Sequence, residues 1–304
     1  MISFKIITDE TKKDILRQLE NLSESEYESA LEIVLSLSFD EEDVEYAISA
    51  IAGCLLVRVF DMGRYFFLYP YEISEDADVI SAIDAVSEYA MREEIPLVFS
   101  DVPKDAVSSF FGFRHMDLDA EDECADSYRV RIKTECELVS EIPNVTRGRV
   151  TLNAISEEDV GEYARLCKDK NVNKYWGYDY SLDAIEPADE YFFDTACDEF
   201  ARGISISMAI RTKDAFCGEA VIYAFDGKGA AEFAIRILPE FHGRGLGVES
   251  VLAIADVAKS IGLTTLRSKI FSKNLPSVAM LKKVTDKWNT DGDTLIFTIN
   301  LNKL

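Results

Sequence analysis

One stretch constrains the fold of this 304-residue chain more tightly than any other: Ile235-Arg236-Ile237-Leu238-Pro239-Glu240-Phe241-His242-Gly243-Arg244-Gly245-Leu246-Gly247-Val248-Glu249-Ser250. It reads as a strand, a glycine-rich turn and the start of a helix. Three glycines at alternate positions remove Cβ atoms where a backbone has to approach a ligand closely. The helix that follows leaves its first N–H groups without internal partners, and they point at whatever sits in the turn. The combination is an anion site suited to a phosphate or pyrophosphate. Neither the dinucleotide fingerprint GxGxxG nor the P-loop GxxxxGK[ST] matches, which argues against a nucleotide dehydrogenase or an NTPase.

The charge balance narrows the partners. The chain carries 56 acidic against 32 basic residues, a formal net charge of −24. Residues 1–140 hold 32 acids and 12 bases, and residues 141–304 hold 24 and 20. A basic footprint for nucleic acid or for an anionic membrane is therefore missing from both halves, and neither partner is expected. Any anion must be held by a few local donors against an unfavourable long-range field. No window approaches 18 uninterrupted apolar residues, and the start of the chain lacks the pattern of a secretory signal. Six separated cysteines without a CxxC pair and only two histidines support no metal site and read as free, buried thiols. A cytoplasmic protein of two domains is the expectation.

Apolar spacing predicts helices over Thr11–Leu22, Ser25–Leu37 and Ala77–Arg92, with strands at Ile2–Thr8, Cys54–Asp61, Arg64–Tyr71 and Pro96–Ser100. A short helix at Lys104–Phe111 and a strand pair, Arg114–Leu118 with Tyr128–Lys133, complete the first half. The second half predicts strands at Arg149–Leu152, Ile204–Arg211, Phe216–Phe225, Ala230–Leu238, Thr264–Ile270 and Thr294–Leu301. Its helices are a segment opened by Ser156, then Pro187–Ala201, Leu246–Ile261 and Ser277–Val284. The boundary falls within Cys136–Gly148, where Pro143, Asn144 and Gly148 break both periodicities.

With these residues in view, the second half resembles the GNAT superfamily of N-acetyltransferases. Pro239 followed by His242-x-x-Gly245-x-Gly247 is similar to the pyrophosphate motif of that family, with His242 where Arg or Gln usually stands. Asn274-Leu275-Pro276-Ser277, after the next strand, looks like the family's Asn-x-x-Ser beside the pantetheine arm. Val150-Thr151-Leu152, Glu157-Glu158-Asp159 and Asn173-Lys174-Tyr175-Trp176 are similar to the ribosomal-protein alanine acetyltransferase branch. Two family features are absent: no Tyr follows Asn-x-x-Ser, where Ala279-Met280-Leu281 stands, and Val284-Thr285-Asp286 replaces the usual Gly-Phe.

The resemblance implies an α/β (α+β) fold of two tandem GNAT-like domains, each a mixed, mostly antiparallel sheet flanked by helices. Residues 147–304 would be the acetyltransferase domain and residues 1–140 a degenerate copy without cofactor. Acetyl-CoA would be the co-substrate. The amides of Gly243, Arg244, Gly245, Leu246, Gly247 and Val248 would hold its pyrophosphate beside His242. The backbones of Ile237 and Leu238, with Asn274 and Ser277, would hold the pantetheine arm. Glu232 would act as general base, with Glu219 as second choice. The acceptor would be a small-molecule or peptide amine, favoured if cationic, and acetyl transfer would be direct. The alternative is a non-catalytic acyl-CoA-binding or interaction protein on the same scaffold. In the first half, Gly112-Phe113-Arg114 matches the family's Gly-Phe ending. Its phosphate turn is replaced by Glu72-Ile73-Ser74-Glu75-Asp76-Ala77-Asp78, whose carboxylates would repel a phosphate.

Overall fold

The strands form two separate sheets in this protein. The computed structural model describes residues 5–6, 44–51, 54–61, 65–72, 78–93, 95–120, 127–176, 187–213 and 215–304. The chain divides into two units, Met1–Lys133 and Thr134–Leu304.

In the first unit, β1 (Lys5–Ile6), β2 (Val44–Ile51), β3 (Cys54–Asp61) and β4 (Tyr65–Glu72) precede helix α1 (Val79–Arg92). Then come β5 (Leu97–Pro103), β6 (Met116–Ala120) and β7 (Ser127–Ile132). The sheet order is β1-β2-β3-β4-β5-β7-β6. Among the described strands of this sheet, only β4 and β5 run parallel, paired at Phe67↔Val98 and Leu68↔Phe99. Helix α1 buries Ala82, Ile83, Val86, Ser87 and Ala90, a spacing that keeps one face against the core. The helices expected over Thr11–Leu22 and Ser25–Leu37 lie outside the described residues. The expected helix near Lys104 is a 3₁₀ segment, Ala106–Phe110, whose Phe110 stacks edge-on against Phe99 at 4.8 Å.

The second unit opens with β8 (Val145–Arg147) and β9 (Val150–Ala154), then α2 (Val160–Lys168), α3 (Lys170–Asn173) and α4 (Asp189–Ala201). Ser156 and Asp159 form a reciprocal capping box that starts this helical segment. A meander of β10 (Ser205–Thr212), β11 (Ala215–Tyr223) and β12 (Ala230–Ile237) leads into α5 (Leu246–Ser260). The chain continues through β13 (Thr265–Phe271), α6 (Leu275–Leu281), β14 (Trp288–Asp291) and β15 (Thr294–Asn300). The sheet order β14-β15-β13-β12-β11-β10-β9-β8 again contains one parallel pair, β12 with β13. Strands β2 to β7 and β10 to β15 therefore follow one order: three antiparallel strands, a helix, a parallel strand, then an antiparallel pair. Residues expected near the domain boundary pack into the second unit. The Cys136 thiol donates to the Ser205 carbonyl, and the side chain is 1% exposed.

The core of the second unit lies between its sheet and α5, where Val251, Ala253, Ile254, Val257 and Ala258 meet Ile206, Ile222, Phe233, Leu266 and Phe297. The opposite face of the sheet carries a buried polar cluster. Arg236 on β12 lies across from Glu219 on β11, and its Nε donates to Glu219 Oε2 at 2.7 Å. Both side chains are nearly inaccessible, at 6% and 3%. Tyr163 of α2 donates to the other Glu219 oxygen at 2.6 Å. The guanidinium also donates to Asn173 Oδ1 at 2.6 Å and to Cys167 Sγ at 3.0 Å, and it lies 4.3 Å from the Trp176 ring centre. Every polar edge of the pair is thus engaged, the condition under which a buried ion pair is tolerated. Burial and the Glu219 carboxylate hold the Tyr163 hydroxyl well above the ordinary phenol range. Arg236→Met should lower unfolding free energy by about 3–5 kcal/mol, because Glu219 is left buried and uncompensated. Adding Glu219→Leu should recover much of that loss, and urea denaturation of the two variants checks both outcomes.

Candidate active site

Strands β12 and β13 part company within the sheet. Their parallel ladder joins Ala230↔Thr265, Ala231↔Leu266 and Glu232↔Arg267, and stops there. Beyond that point β12 stays with β11 as far as Ile237↔Gly218, and β13 stays with β15 as far as Phe271↔Thr294. The result is a fork whose crotch is Glu232 and whose mouth opens toward the glycine turn. Leu238 N–H donates to the Cys217 carbonyl at 2.8 Å, which sets the phase of the β11–β12 ladder. By the alternation of antiparallel bonding, the backbone groups of Phe233, Ile235 and Ile237 point away from β11 into the fork. Leu238 is otherwise placed than expected: its carbonyl also accepts, from Phe241 N–H at 3.0 Å. Ile237 is the better-placed backbone donor of the two.

The turn after β12 is built to leave amides free. Gly243 and Gly245 have φ of 72° and 81°, a region that L side chains avoid. Gly245 is the N-cap of α5, so the N–H groups of Leu246, Gly247 and Val248 lack partners within the helix. A Cβ on Gly243 would meet nothing of the protein within 4 Å. Gly247 serves packing, because a Cβ there would come within 2.6 Å of Met280 Sδ on α6. His242 Nε2 donates to the Ile237 carbonyl at 2.7 Å and so ties the turn back to the strand end. Arg244 is exposed, with its guanidinium 5.3 Å from the Phe241 ring centre.

Arg149, just before β9, is a turn residue that the sequence alone does not reveal. Its Nη2 donates to the Arg244 carbonyl at 2.8 Å, and its guanidinium pairs with Glu249 at 2.5 Å. Its own N–H donates to Glu249 Oε2 at 2.7 Å. This clasp engages the Glu249 carboxylate on α5, while the Arg244 carbonyl is held away from the turn's amides. Hydrogen bonds from Arg149 hold the Glu249 carboxyl below the usual range. Arg165 similarly bridges Glu162 and Glu240 at 2.5 and 2.7 Å, at the entrance to the turn.

At the crotch, Glu232 faces Tyr223 across β11 and bonds Lys269 Nζ on β13 at 2.6 Å. The Tyr223 hydroxyl hydrogen-bonds Glu232, and burial beside that carboxylate pushes it up to about 12. Glu219, the second choice for a base, is instead locked to Arg236 and Tyr163 in the buried cluster. Asn274 caps α6, its Oδ1 accepting from Ser277 N–H at 3.5 Å. Tyr175 lies over Phe271 at 6.2 Å, beside the fork. Burial drives the Cys136 and Cys167 thiols up to about 12, so neither is a thiolate nucleophile near neutral pH. Among the described residues, no group of His, Cys, Asp and Glu side chains could hold a metal ion, and no helix is long and apolar enough to cross a membrane.

The geometry fits a ligand with a phosphate group at the turn and an extended amide-bearing arm in the fork, ending at Glu232. Solved structures similar to part of this chain include spermidine N-acetyltransferase from Vibrio cholerae, in complex with CoA and spermine. It is 15% identical, with a TM-score of 0.43, over 51% of this chain and 97% of that one. RimJ from Mycobacterium smegmatis, in complex with CoA-disulfide, is 16% identical, with a TM-score of 0.45, over 53% and 88%. An acetyltransferase from Agrobacterium tumefaciens is 19% identical, with a TM-score of 0.43, over 53% and 96%. No curated protein matches the chain. Residues 149–285 match the family model of the Acetyltransferase (GNAT) domain, and this match supports an acyltransferase activity that depends on acetyl-CoA.

Proposed function

We propose that residues 147–304 transfer the acetyl group of acetyl-CoA to a primary amine by direct attack, with Glu232 as general base. The observation that carries this reading is the position of Glu232 at the crotch of a strand fork whose mouth meets the glycine turn. Acetyl-CoA supplies the acetyl group as a thioester. The free amides from Gly243 to Val248 are suited to its pyrophosphate, and His242 fixes the turn against the strand. The open-edge N–H groups of Ile235 and Ile237 are suited to the amides of the pantetheine arm. A backbone N–H deeper in the fork would polarise the thioester carbonyl as negative charge develops on its oxygen. Asn274 and Ser277 would border the arm at the start of α6. The amine nitrogen forms a bond to the carbonyl carbon, Glu232 takes the proton that nitrogen sheds, and the carbon–sulfur bond breaks with its electron pair leaving on CoA as the thiolate, which is protonated from solvent.

The acceptor is a small-molecule or peptide amine. An acidic surplus of the size found here concentrates ammonium ions around the protein and favours a positively charged acceptor at long range.

We propose further that residues 1–140 are a degenerate copy without acetyl-CoA. The shared strand order supports this reading. So does Asp78, which caps α1 where the other unit has its glycine turn. Its Oδ1 accepts from Ser81 N–H at 3.0 Å, and the Ser81 hydroxyl donates to Oδ2 at 2.5 Å. These bonds hold the Asp78 carboxyl below its usual range. A carboxylate therefore occupies the positive end of that helix, where a phosphate would otherwise sit.

Calorimetry of CoA with the full chain should give one site per chain, and two sites would overturn the degenerate reading. Gly245→Glu should weaken CoA binding by roughly a hundredfold, by adding a side chain at φ 81° and a negative charge at the turn. Glu232→Gln should leave CoA affinity unchanged and lower the rate of thiol release from acetyl-CoA with an accepted amine by about 10²–10⁴-fold. CoA binding with no thiol release across a broad panel of amines would favour the non-catalytic alternative.

A further inference from the structure

The side of the fork that faces the acceptor is not uniformly acidic. Along β13, Leu266, Ser268 and Ile270 are buried, while Arg267, Lys269 and Phe271 are exposed on the other face. Tyr175 contacts Phe271 on that face, and the Lys174 ammonium lies 5.2 Å from the Tyr175 ring centre. Arg267 is the partner of Glu232 in the strand register. Lys269 Nζ reaches Glu232 Oε1 at 2.6 Å; the lysine side chain is 54% exposed and the glutamate 16%. The one carboxylate at the crotch thus has its charge matched by an ammonium that is itself open to solvent. Arg267 stands opposite Glu232 in the register, and Lys174 lies farther along the same face, beside Tyr175 and Phe271. Tyr223 holds the same carboxylate from the β11 side, so Glu232 is braced by one donor on each neighbouring strand.

These contacts have two chemical consequences. A base that must accept a proton from a bound amine needs its carboxylate aimed, and the Lys269 bond fixes that aim across the fork. An acceptor arriving there meets a positive face locally, even though the whole protein is strongly negative. An amine whose only positive charge is the ammonium that loses its proton becomes neutral at the crotch. A second, permanent charge one chain-length away stays beside Lys269 and Arg267. We infer that Lys269 is a positioning and selectivity residue, which fixes Glu232 and turns away acceptors with a second positive charge near the reacting amine. This inference rests on the assignment of Glu232 as the base.

The test compares matched acceptors that differ by one charge: butylamine with 1,4-diaminobutane, and alanyl-glycinamide with alanyl-argininamide. Wild-type protein should prefer the singly charged member of each pair in kcat/KM. Lys269→Gln should raise the relative kcat/KM of the doubly charged member by about tenfold, the scale of one charge pair several ångströms apart near a protein surface. The same variant should lower kcat on the singly charged member while KM changes little, and Lys269→Arg should restore both the ratio and kcat. If Lys269→Gln loses turnover, the ratio is read as equilibrium binding of each pair to the CoA-loaded protein. A ratio that moves less than twofold in Lys269→Gln, or a wild type that prefers the doubly charged member, overturns the inference. Absence of thiol release with every amine in the wild type overturns the catalytic reading itself, and the inference with it.

Discussion

The buried pair between Arg236 and Glu219 is the interaction on which the fork depends. A parallel ladder that continued past Glu232 would satisfy the backbone of β12 on both edges and close the site. Instead, Arg236 ties the far half of β12 sideways to β11 and down to α2 and α3, through Glu219, Tyr163, Asn173 and Cys167. Strand β13 is carried the other way by its seven-residue register with β15. The two strands have separate allegiances beyond the crotch, and the open edge of β12 is the consequence. Unpaired backbone groups in a core are costly unless something else bonds them. Part of that demand is met by His242 on the Ile237 carbonyl, and the rest is a standing preference for an amide-bearing ligand.

The turn beyond the fork follows a similar division of labour. Glycines supply the backbone shape at 243 and 245, but the orientation is imposed from β9, where Arg149 grips both the Arg244 carbonyl and the Glu249 carboxylate. Glu249 is in the first turn of α5, where its charge favours the helix dipole but opposes any phosphate nearby. Pairing it with Arg149 offsets that repulsion, and with it part of the favourable interaction with the helix dipole. In a chain with a net charge of −24 this neutralisation is a local necessity, since the long-range field is unfavourable to every phosphate. In the first unit, Asp78 stands at the start of α1 and is bonded to its own Ser81.

Much of this was legible in sequence order, and the boundary between legible and hidden is physical. The strand–turn–helix run around Gly243, Gly245 and Gly247 announced itself because its signals are local: apolar alternation, then residues without Cβ, then helical spacing. Strand β14 was missed because all four of its residues are exposed, so Trp288-Asn289-Thr290-Asp291 carries no apolar alternation. The choice between Glu219 and Glu232 was undecidable from spacing. Both alternate onto the same face of adjacent strands, and only the register brings Arg236 opposite one and Tyr223 opposite the other. Arg149 was invisible for a related reason: nothing near it in sequence says that its guanidinium reaches a carbonyl 95 residues away. Gly247 shows the converse error, in which a motif glycine read as making room for a ligand also makes room for Met280.

The placement of charge at the crotch also bears on how the proton leaves. An alkyl amine is protonated at neutral pH, with a reference pKa near 10.4, so only about one molecule in 2,500 is ready to attack. Removal of the proton to bulk water or to Glu232 is therefore part of the barrier for such an acceptor. Glu232 is braced by the Tyr223 hydroxyl and the Lys269 ammonium, and both are donors. Two donors orient the carboxylate and leave its remaining lone pairs for the amine. The buried thiols of Cys136 and Cys167, raised to about 12, offer no competing covalent route. On the proposed assignment of Glu232 as base, these contacts fit direct transfer to the amine, with the carboxylate held at the crotch by Tyr223 and Lys269.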